Sequence, residues 1–227
     1  MLERGKSTIK RWFWHTYDFL GTLIALNVVF LVLSLPVITL PLSLAGLFYV
    51  TDRIVRVEDV RVRDFFRGMR VHGIRFISLG VLFFVCIAVL AVNVFFYIQM
   101  IEQWSWAAAL LAGVIFWLIV FVLIVVAVSF PLLVSTDEPL KSVVWRGVLL
   151  VLNDPYASVS LLIGIMIILF LGIVTGAGFI FGALSVSAML CSTVFREMST
   201  KYDNVSDSEP EEIRGWRDLF RPWDLGK

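Results

Sequence analysis

Four runs of apolar residues are too long and too poor in charge to form the core of a soluble domain. A bilayer core of about 30 Å is crossed by about 20 apolar helical residues. Each run reaches that length or nearly so, and the chain is 59% hydrophobic and only 16% charged. The sequence therefore predicts an all-α integral membrane protein. The runs are residues 19–35, 74–98, 107–134 and 159–194.

The lysines and arginines lie between and beyond these runs. Short loops rich in Lys and Arg stay in the cytoplasm. The amino-terminal segment, the Arg-rich segment before residue 74, the connection after residue 134 and the tail all carry such residues, whereas residues 99–106 carry none. We therefore expect both termini on the cytoplasmic side of the cell membrane, with residues 99–106 outside.

This sidedness requires an even number of crossings between the amino terminus and the Arg-rich segment. Pro36 and Pro41 supply the break, and Ser34 and Thr39 can satisfy the backbone groups that it frees. A helix over 159–198 would be about 60 Å long, twice the bilayer, and Gly176 marks its break. The sequence predicts six membrane segments, two of which either cross fully or are re-entrant. They are residues 19–35, 38–57, 74–98, 107–134, 158–175 and 178–198.

The alternative is a five-span arrangement with one terminus outside. In the six-segment arrangement, residues 1–200 form a single transmembrane domain and residues 201–227 form a cytoplasmic tail with a short amphipathic helix. Helical amphipathicity also marks residues 59–73 and 139–152, which predicts two further helices lying in the inner interface. The triplets at 66–68 and 145–147, Phe-Arg-Gly and Trp-Arg-Gly, suggest a tandem repeat.

The sequence contains none of the common catalytic, phosphate-binding or metal-binding motifs. It contains no Gly-rich phosphate loop, HExxH, CxxC or GxSxG motif, so we expect no catalytic residues, no cofactor and no metal site. The net charge of +1 gives no reason to expect a nucleic-acid partner. Asn27 and Asn93 lie deep in apolar runs, where an amide either bonds to a neighbouring helix or coordinates a solute. Asp18 stands at the mouth of the first run.

Two stretches resemble the YesL-like family of small polytopic membrane proteins. The first is Leu-Pro-Val-Ile-Thr-Leu-Pro at 35–41 with the Ala-Gly-Leu-Phe-Tyr run at 45–49, and the second is Asp-Phe-Phe-Arg at 64–67. The chain departs from the family pattern at Pro41 and Leu42, where the family prefers Gly-Pro. The candidate functional or family-motif residues are Asp18, Asn27, Pro36, Thr39, Pro41, Tyr49, Phe65, Arg67 and Asn93.

The resemblance implies a domain of unknown function, suspected of assisting carbohydrate ABC transporters. We therefore expect a non-enzymatic accessory subunit that lies in the lipid bilayer and binds an ABC permease or a membrane sensor. The alternative is an autonomous facilitator of a small neutral solute that uses Asn27 and Asn93. The glycine spacing also makes a homo-oligomer plausible.

Overall fold

The computed structural model describes residues 10–14, 16–36, 39–56, 58, 60–100 and 106–202, and all regular structure in these ranges is helical. This confirms the all-α class. The amphipathic helix expected in the tail lies outside the described residues, as does most of the connection at 99–106. In chain order the elements are α1 (Lys10–Asp18), α2 (Leu20–Ser34), α3 (Leu40–Val55), α4 (Val62–Gln99), α5 (Trp106–Ser135), α6 (Leu140–Asn153), α7 (Pro155–Thr175), a π-helical turn (Phe179–Ala183) and α8 (Leu184–Tyr202).

Four stretches of helix are long and apolar enough to cross a membrane, namely α4, α5, α7 and the combined stretch Phe179–Lys201. The bent pair of α1 and α2, at 80° to each other, makes a fifth if it counts as one span. By themselves α2 and α3 have 15 and 16 residues, about 22–24 Å of helix. The described residues therefore support four or five spans, and the predicted count of six is not confirmed.

The first of the predicted interfacial helices is not a separate element. Residues 62–73 continue without a break into the apolar run, and α4 is one helix of 38 residues. The Asp64 carboxylate accepts a hydrogen bond from the Arg61 backbone N–H (2.9 Å) and so fixes where the helix begins. Because Phe65 is fully buried, its neighbour Phe66 points away and is 52% exposed. At the second predicted stretch, 139–152, a helix is confirmed as α6, and its place in the inner interface stays a prediction.

Close antiparallel packing of α3 against α4 depends on glycines. A Cβ added at Gly68 would lie 2.5 Å from Tyr49 Cβ, and one added at Gly46 would lie 2.7 Å from the Phe65 carbonyl oxygen. Such separations leave no space for a side chain, so the backbones can approach as small residues allow in membrane bundles. The glycines in this stretch therefore serve packing and do not interrupt α4.

Aromatic rings and polar contacts tie α3 into the bundle. The ring of Phe130 from α5 stacks on Phe48 of α3 (centroids 5.6 Å apart) and on Phe76 of α4 (5.2 Å). On the side facing α8, the Thr51 and Ser192 hydroxyls are 3.0 Å apart and hydrogen-bonded. A guanidinium of α8 also donates to the last carbonyl of α3, from Arg196 to Val55 at 3.0 Å.

Arg75 of α4 holds the end of α5. Its guanidinium donates to the carbonyl oxygens of Leu133 (3.4 Å), Thr136 (2.9 Å) and Glu138, and so satisfies groups that a helix C-terminus leaves free. In the same connection, the Ser142 hydroxyl and the Arg146 guanidinium donate to the Glu138 carboxylate and lower its pKa below the ordinary value. These contacts fix the turn from α5 into α6.

The tandem-repeat hypothesis stays a prediction, but the glycines of its two triplets occupy similar places. Gly68 lies against Tyr49 of the preceding helix α3, and Gly147 of α6 lies against Ser129 of the preceding helix α5. In both cases a Cβ would be 2.5 Å from the facing side chain. Each triplet therefore marks a close contact between consecutive helices.

Candidate functional site: Asn27 and the π-helical turn

The Asn27 side chain is fully buried and bonds to the backbone of the last helical stretch. Its Nδ2 donates to the carbonyl oxygens of Phe179 (3.0 Å) and Ile180 (2.6 Å). Its Oδ1 accepts from the backbone N–H groups of Leu184 (3.2 Å) and Ser185 (3.1 Å). One side-chain amide thus supplies two donors and two acceptor contacts to a helix that lies 152 to 158 residues away along the chain.

In a regular π-helical turn, these two carbonyls and two N–H groups would form hydrogen bonds with each other. In a π-helix the N–H of residue i+5 bonds to the carbonyl of residue i, which here joins 184 to 179 and 185 to 180. The Asn27 amide lies beside both pairs, and the π-helical turn spans Phe179–Ala183. Because an amide side chain has the same donor and acceptor groups as a peptide unit, Asn27 stabilises the widened turn.

The break before this turn lies where the sequence predicts it. Helix α7 ends at Thr175, and Gly176 adopts φ +60°, a left-handed conformation that favours glycine. The Thr175 hydroxyl donates to the Leu171 carbonyl (2.7 Å) and accepts from the Gly178 N–H (3.2 Å). The chain can therefore reverse direction without leaving these backbone groups unpaired.

An apolar groove adjoins the π-helical turn. Its volume is about 380 Å³, and it lies between α1 and α2 on one side and α7, the turn and the start of α8 on the other. Leucine, isoleucine, valine and phenylalanine side chains form most of its wall, together with glycines 172, 178 and 182. The groove could not be predicted from the sequence, because its walls come from segments about 150 residues apart.

The proline-broken hairpin is held by Thr39. Its hydroxyl donates to the carbonyl oxygens of Leu33 and Pro36 (2.7 Å for the latter), and its N–H donates to Pro36 (2.9 Å). Pro36 itself is exposed, and Pro41 stands in the first turn of α3, where a missing N–H costs nothing. This is the backbone-satisfying role that the sequence predicts for Thr39.

Tyr49 and Phe65 lie in the contact between α3 and α4. The Tyr49 ring packs against the His72 ring (centroids 5.7 Å apart) and lies under the Arg53 guanidinium at 5.9 Å. Arg53 also pairs with the Asp64 carboxylate at 3.3 Å. Phe65 is fully buried. Both motif residues therefore contribute to packing between the two helices.

The other predicted site residues lie apart from Asn27. Asp18 and Arg67 are exposed. Asn93 is partly exposed, and its Nδ2 donates to the Val89 carbonyl of its own helix at 2.8 Å. No hydrogen bond among the described residues joins Asn27 to Asn93, so the structure does not bring them together as a pair.

The architecture is that of a polytopic helical membrane protein, with the π-helical turn and its groove as its most distinctive local feature. Residues 23–94 match the family model described as "Protein of unknown function, DUF624". YesL-like proteins are the known family that carries this domain, so the resemblance is confirmed over residues 23–94. No curated protein and no solved structure matches the chain.

Proposed function

We propose that the protein is a non-enzymatic accessory subunit that binds another membrane protein through the face of α4 that carries Asn93. The partner we favour is the permease of a carbohydrate ABC uptake system or a membrane sensor, as the family resemblance suggests. The proposal places both termini in the cytoplasm and the protein in the cell membrane.

The observation that supports this proposal is the position of Asn93. Its apolar neighbours on α4 are strongly exposed, at 56% for Val89, 68% for Val92 and 51% for Phe96. Asn93 lies six residues, or about 9 Å, before the end of the helix. Among the described residues it makes a single hydrogen bond, to Val89. The amide oxygen and one N–H therefore face the region that lipid or a partner occupies.

An amide in hydrocarbon is costly until it finds a polar partner. A hydroxyl or amide on a neighbouring membrane helix would satisfy Asn93, and such contacts between membrane helices contribute about 0.6–1.7 kcal/mol. A lipid tail offers no such group. This chemistry favours a protein helix, rather than lipid alone, against this face of α4.

The alternative function, a facilitator for a neutral solute, has less support. A solute site at Asn27 would need the amide to be available, whereas all four of its hydrogen bonds go to the backbone of the π-helical turn and α8. The groove beside it has apolar walls, which suit a polar solute poorly.

Co-purification tests the proposal. The tagged protein is isolated from its native membranes in a mild detergent, and the co-purifying proteins are quantified by mass spectrometry. We expect a permease or sensor at near-equal stoichiometry. Asn93→Leu should lower its recovery by about 3- to 20-fold, the equivalent of one interhelical hydrogen bond, and Asn93→Gln should retain most of it.

The matched control is Val92→Leu, a substitution of a more exposed neighbour that keeps the surface apolar. Equal recovery with Asn93→Leu and wild type would refute the role of this face. Isolation of the protein alone would refute the accessory role, and flux measurements in vesicles would then test the facilitator. Co-isolation of two differently tagged copies would identify the partner helix as that of a second copy of this chain.

A further inference from the structure

The groove beside the π-helical turn has enough free space at Gly182 to hold a side chain. A Cβ added at Gly182 would meet only Val186 Cγ2 within 4 Å among the atoms that the structure describes, at 3.7 Å. By contrast, a Cβ added at Gly172 would lie 2.7 Å from Ala183 Cβ. Gly172 thus brings α7 close to the turn, whereas Gly182 leaves the groove open.

The walls of the groove present hydrocarbon. The hydroxyl of Thr175 is already bonded to two carbonyls of α7 and to the Gly178 N–H. Thr16 also lines the groove, but its hydroxyl oxygen is buried and has no hydrogen-bond partner among the described residues. Large apolar side chains line the opening and are about half exposed, at 49% for Leu20, 55% for Leu171 and 54% for Phe181. A ligand would therefore be recognised by shape and apolar contact.

We propose that this groove binds one acyl chain of a bilayer phospholipid. It lies against two stretches that are long and apolar enough to span a membrane, α7 and Phe179–Lys201, so hydrocarbon is the surrounding medium. A volume of about 380 Å³ holds about a dozen methylene groups if each occupies roughly the space of a water molecule, about 30 Å³. A single lipid tail fits this space and this chemistry.

The affinity of such a site comes from packing. A lipid tail that moves from bilayer to groove gains no hydrophobic free energy, since both surroundings are apolar. The gain is the close contact between the tail and the walls of the groove, whose shape depends on glycines 172, 178 and 182. We therefore expect preferential occupancy with exchange, which labelling in a bilayer can measure.

Photolabelling tests the proposal on the full chain. The purified protein is reconstituted into phosphatidylcholine vesicles that contain a small fraction of phosphatidylcholine with a diazirine in one acyl chain. After irradiation, the labelled peptides are mapped by mass spectrometry. We expect labelling of residues 168–186 to be at least three-fold higher, per exposed apolar side chain, than labelling of the exposed α5 stretch at 114–118.

Gly182→Leu places a side chain in the groove and should abolish the excess labelling at 168–186. The matched control is Gly113→Leu on α5, where an added Cβ meets no described atom within 4 Å. It should leave the labelling pattern unchanged. Leu171→Trp fills the groove from the opposite wall and serves as a second variant if Gly182→Leu fails to fold.

Uniform labelling of all exposed apolar surfaces would overturn the proposal. So would an excess at 168–186 that persists in a folded Gly182→Leu or Leu171→Trp variant, because the label would then come from lipid outside the groove. These outcomes do not depend on whether Asn93 binds a partner, so the two proposals can fail separately.

Discussion

Asn27 and Asn93 show what one residue type can do in two places within the same membrane domain. Both stand in apolar runs, where an amide was expected either to bond to a neighbouring helix or to coordinate a solute. The structure gives Asn27 four backbone partners on another helical stretch and gives Asn93 a carbonyl of its own helix. Periodicity could not separate them, because burial depends on which helices pack together.

The same substitution at these two positions should therefore have different effects on stability. Asn27→Leu leaves two carbonyls and two N–H groups near the turn without their side-chain partner, and we expect a loss of about 2 kcal/mol or more. Asn93→Leu removes one local bond and should change the stability by less than about 0.5 kcal/mol. Thermal unfolding of the purified protein in detergent measures both.

For a protein of this size, the loss at Asn27 corresponds to a decrease in the unfolding temperature of about 4–8 °C. Asn27→Gln is the useful control, since its longer amide keeps the polar groups but misplaces them. Equal unfolding temperatures for Asn27→Leu and Asn93→Leu would mean that the contacts of Asn27 with the turn contribute nothing to stability.

At the scale of the elements, the positions where helices break were easier to predict than the stretch where one helix, α4, continues without a break. Pro36 and Gly176 follow the ends of α2 and α7, and Pro41 stands in the first turn of α3. The sequence predicted these breaks because each residue acts on its own backbone. The continuous α4 was missed, because its change from amphipathic to apolar resembles an elbow. Tyr49 fills the space beside Gly68, and the acceptors of Arg75 lie at the end of α5 and in the connection that follows it. Neither contact can be predicted from the sequence around Gly68 or Arg75.

The contact between α3 and α4 should be sensitive to one methyl group. Gly68→Ala puts a Cβ 2.5 Å from Tyr49 Cβ, an atom fixed to the backbone, so the helices must separate. We expect a loss of about 1–3 kcal/mol. Thermal unfolding and monodispersity in size-exclusion chromatography measure the effect.

Gly113→Ala provides the comparison for this change. The position lies on α5 with no described atom within 4 Å of an added Cβ, and alanine favours the helix over glycine by about 0.5–1 kcal/mol. The variant should match or exceed the wild type in stability. A Gly68→Ala protein as stable as Gly113→Ala would show that α3 can move away from α4 without cost.

At the scale of the whole molecule, composition and run length were sufficient to predict a polytopic helical membrane protein. The number of spans was not, since α2 and α3 are too short to cross alone and α1 bends away from α2 by 80°. Whether such arms cross or re-enter depends on their packing against α4 and α8. The distribution of Lys and Arg predicts which loops face the cytoplasm, and labelling of the protein in its membrane can test this directly.

Labelling with a membrane-impermeant maleimide should confirm the predicted sidedness. In a background with Cys86 and Cys191 replaced by serine, cysteines introduced at Lys6 and Ser208 should react only after the cells are permeabilised. A cysteine at Gln103 should react in intact cells. Reaction at exactly one of the two terminal positions in intact cells would instead support the five-span alternative.

The hydrogen bonds between Asn27 and the π-helical turn join α2 to a helical stretch that the ribosome makes much later. The partners are separated by 152 to 158 residues. At about 5–20 residues per second, synthesis of that interval takes roughly 10–30 s. During this time the Asn27 amide has none of these backbone partners, so its four hydrogen bonds form only after residues 179–185 have been made.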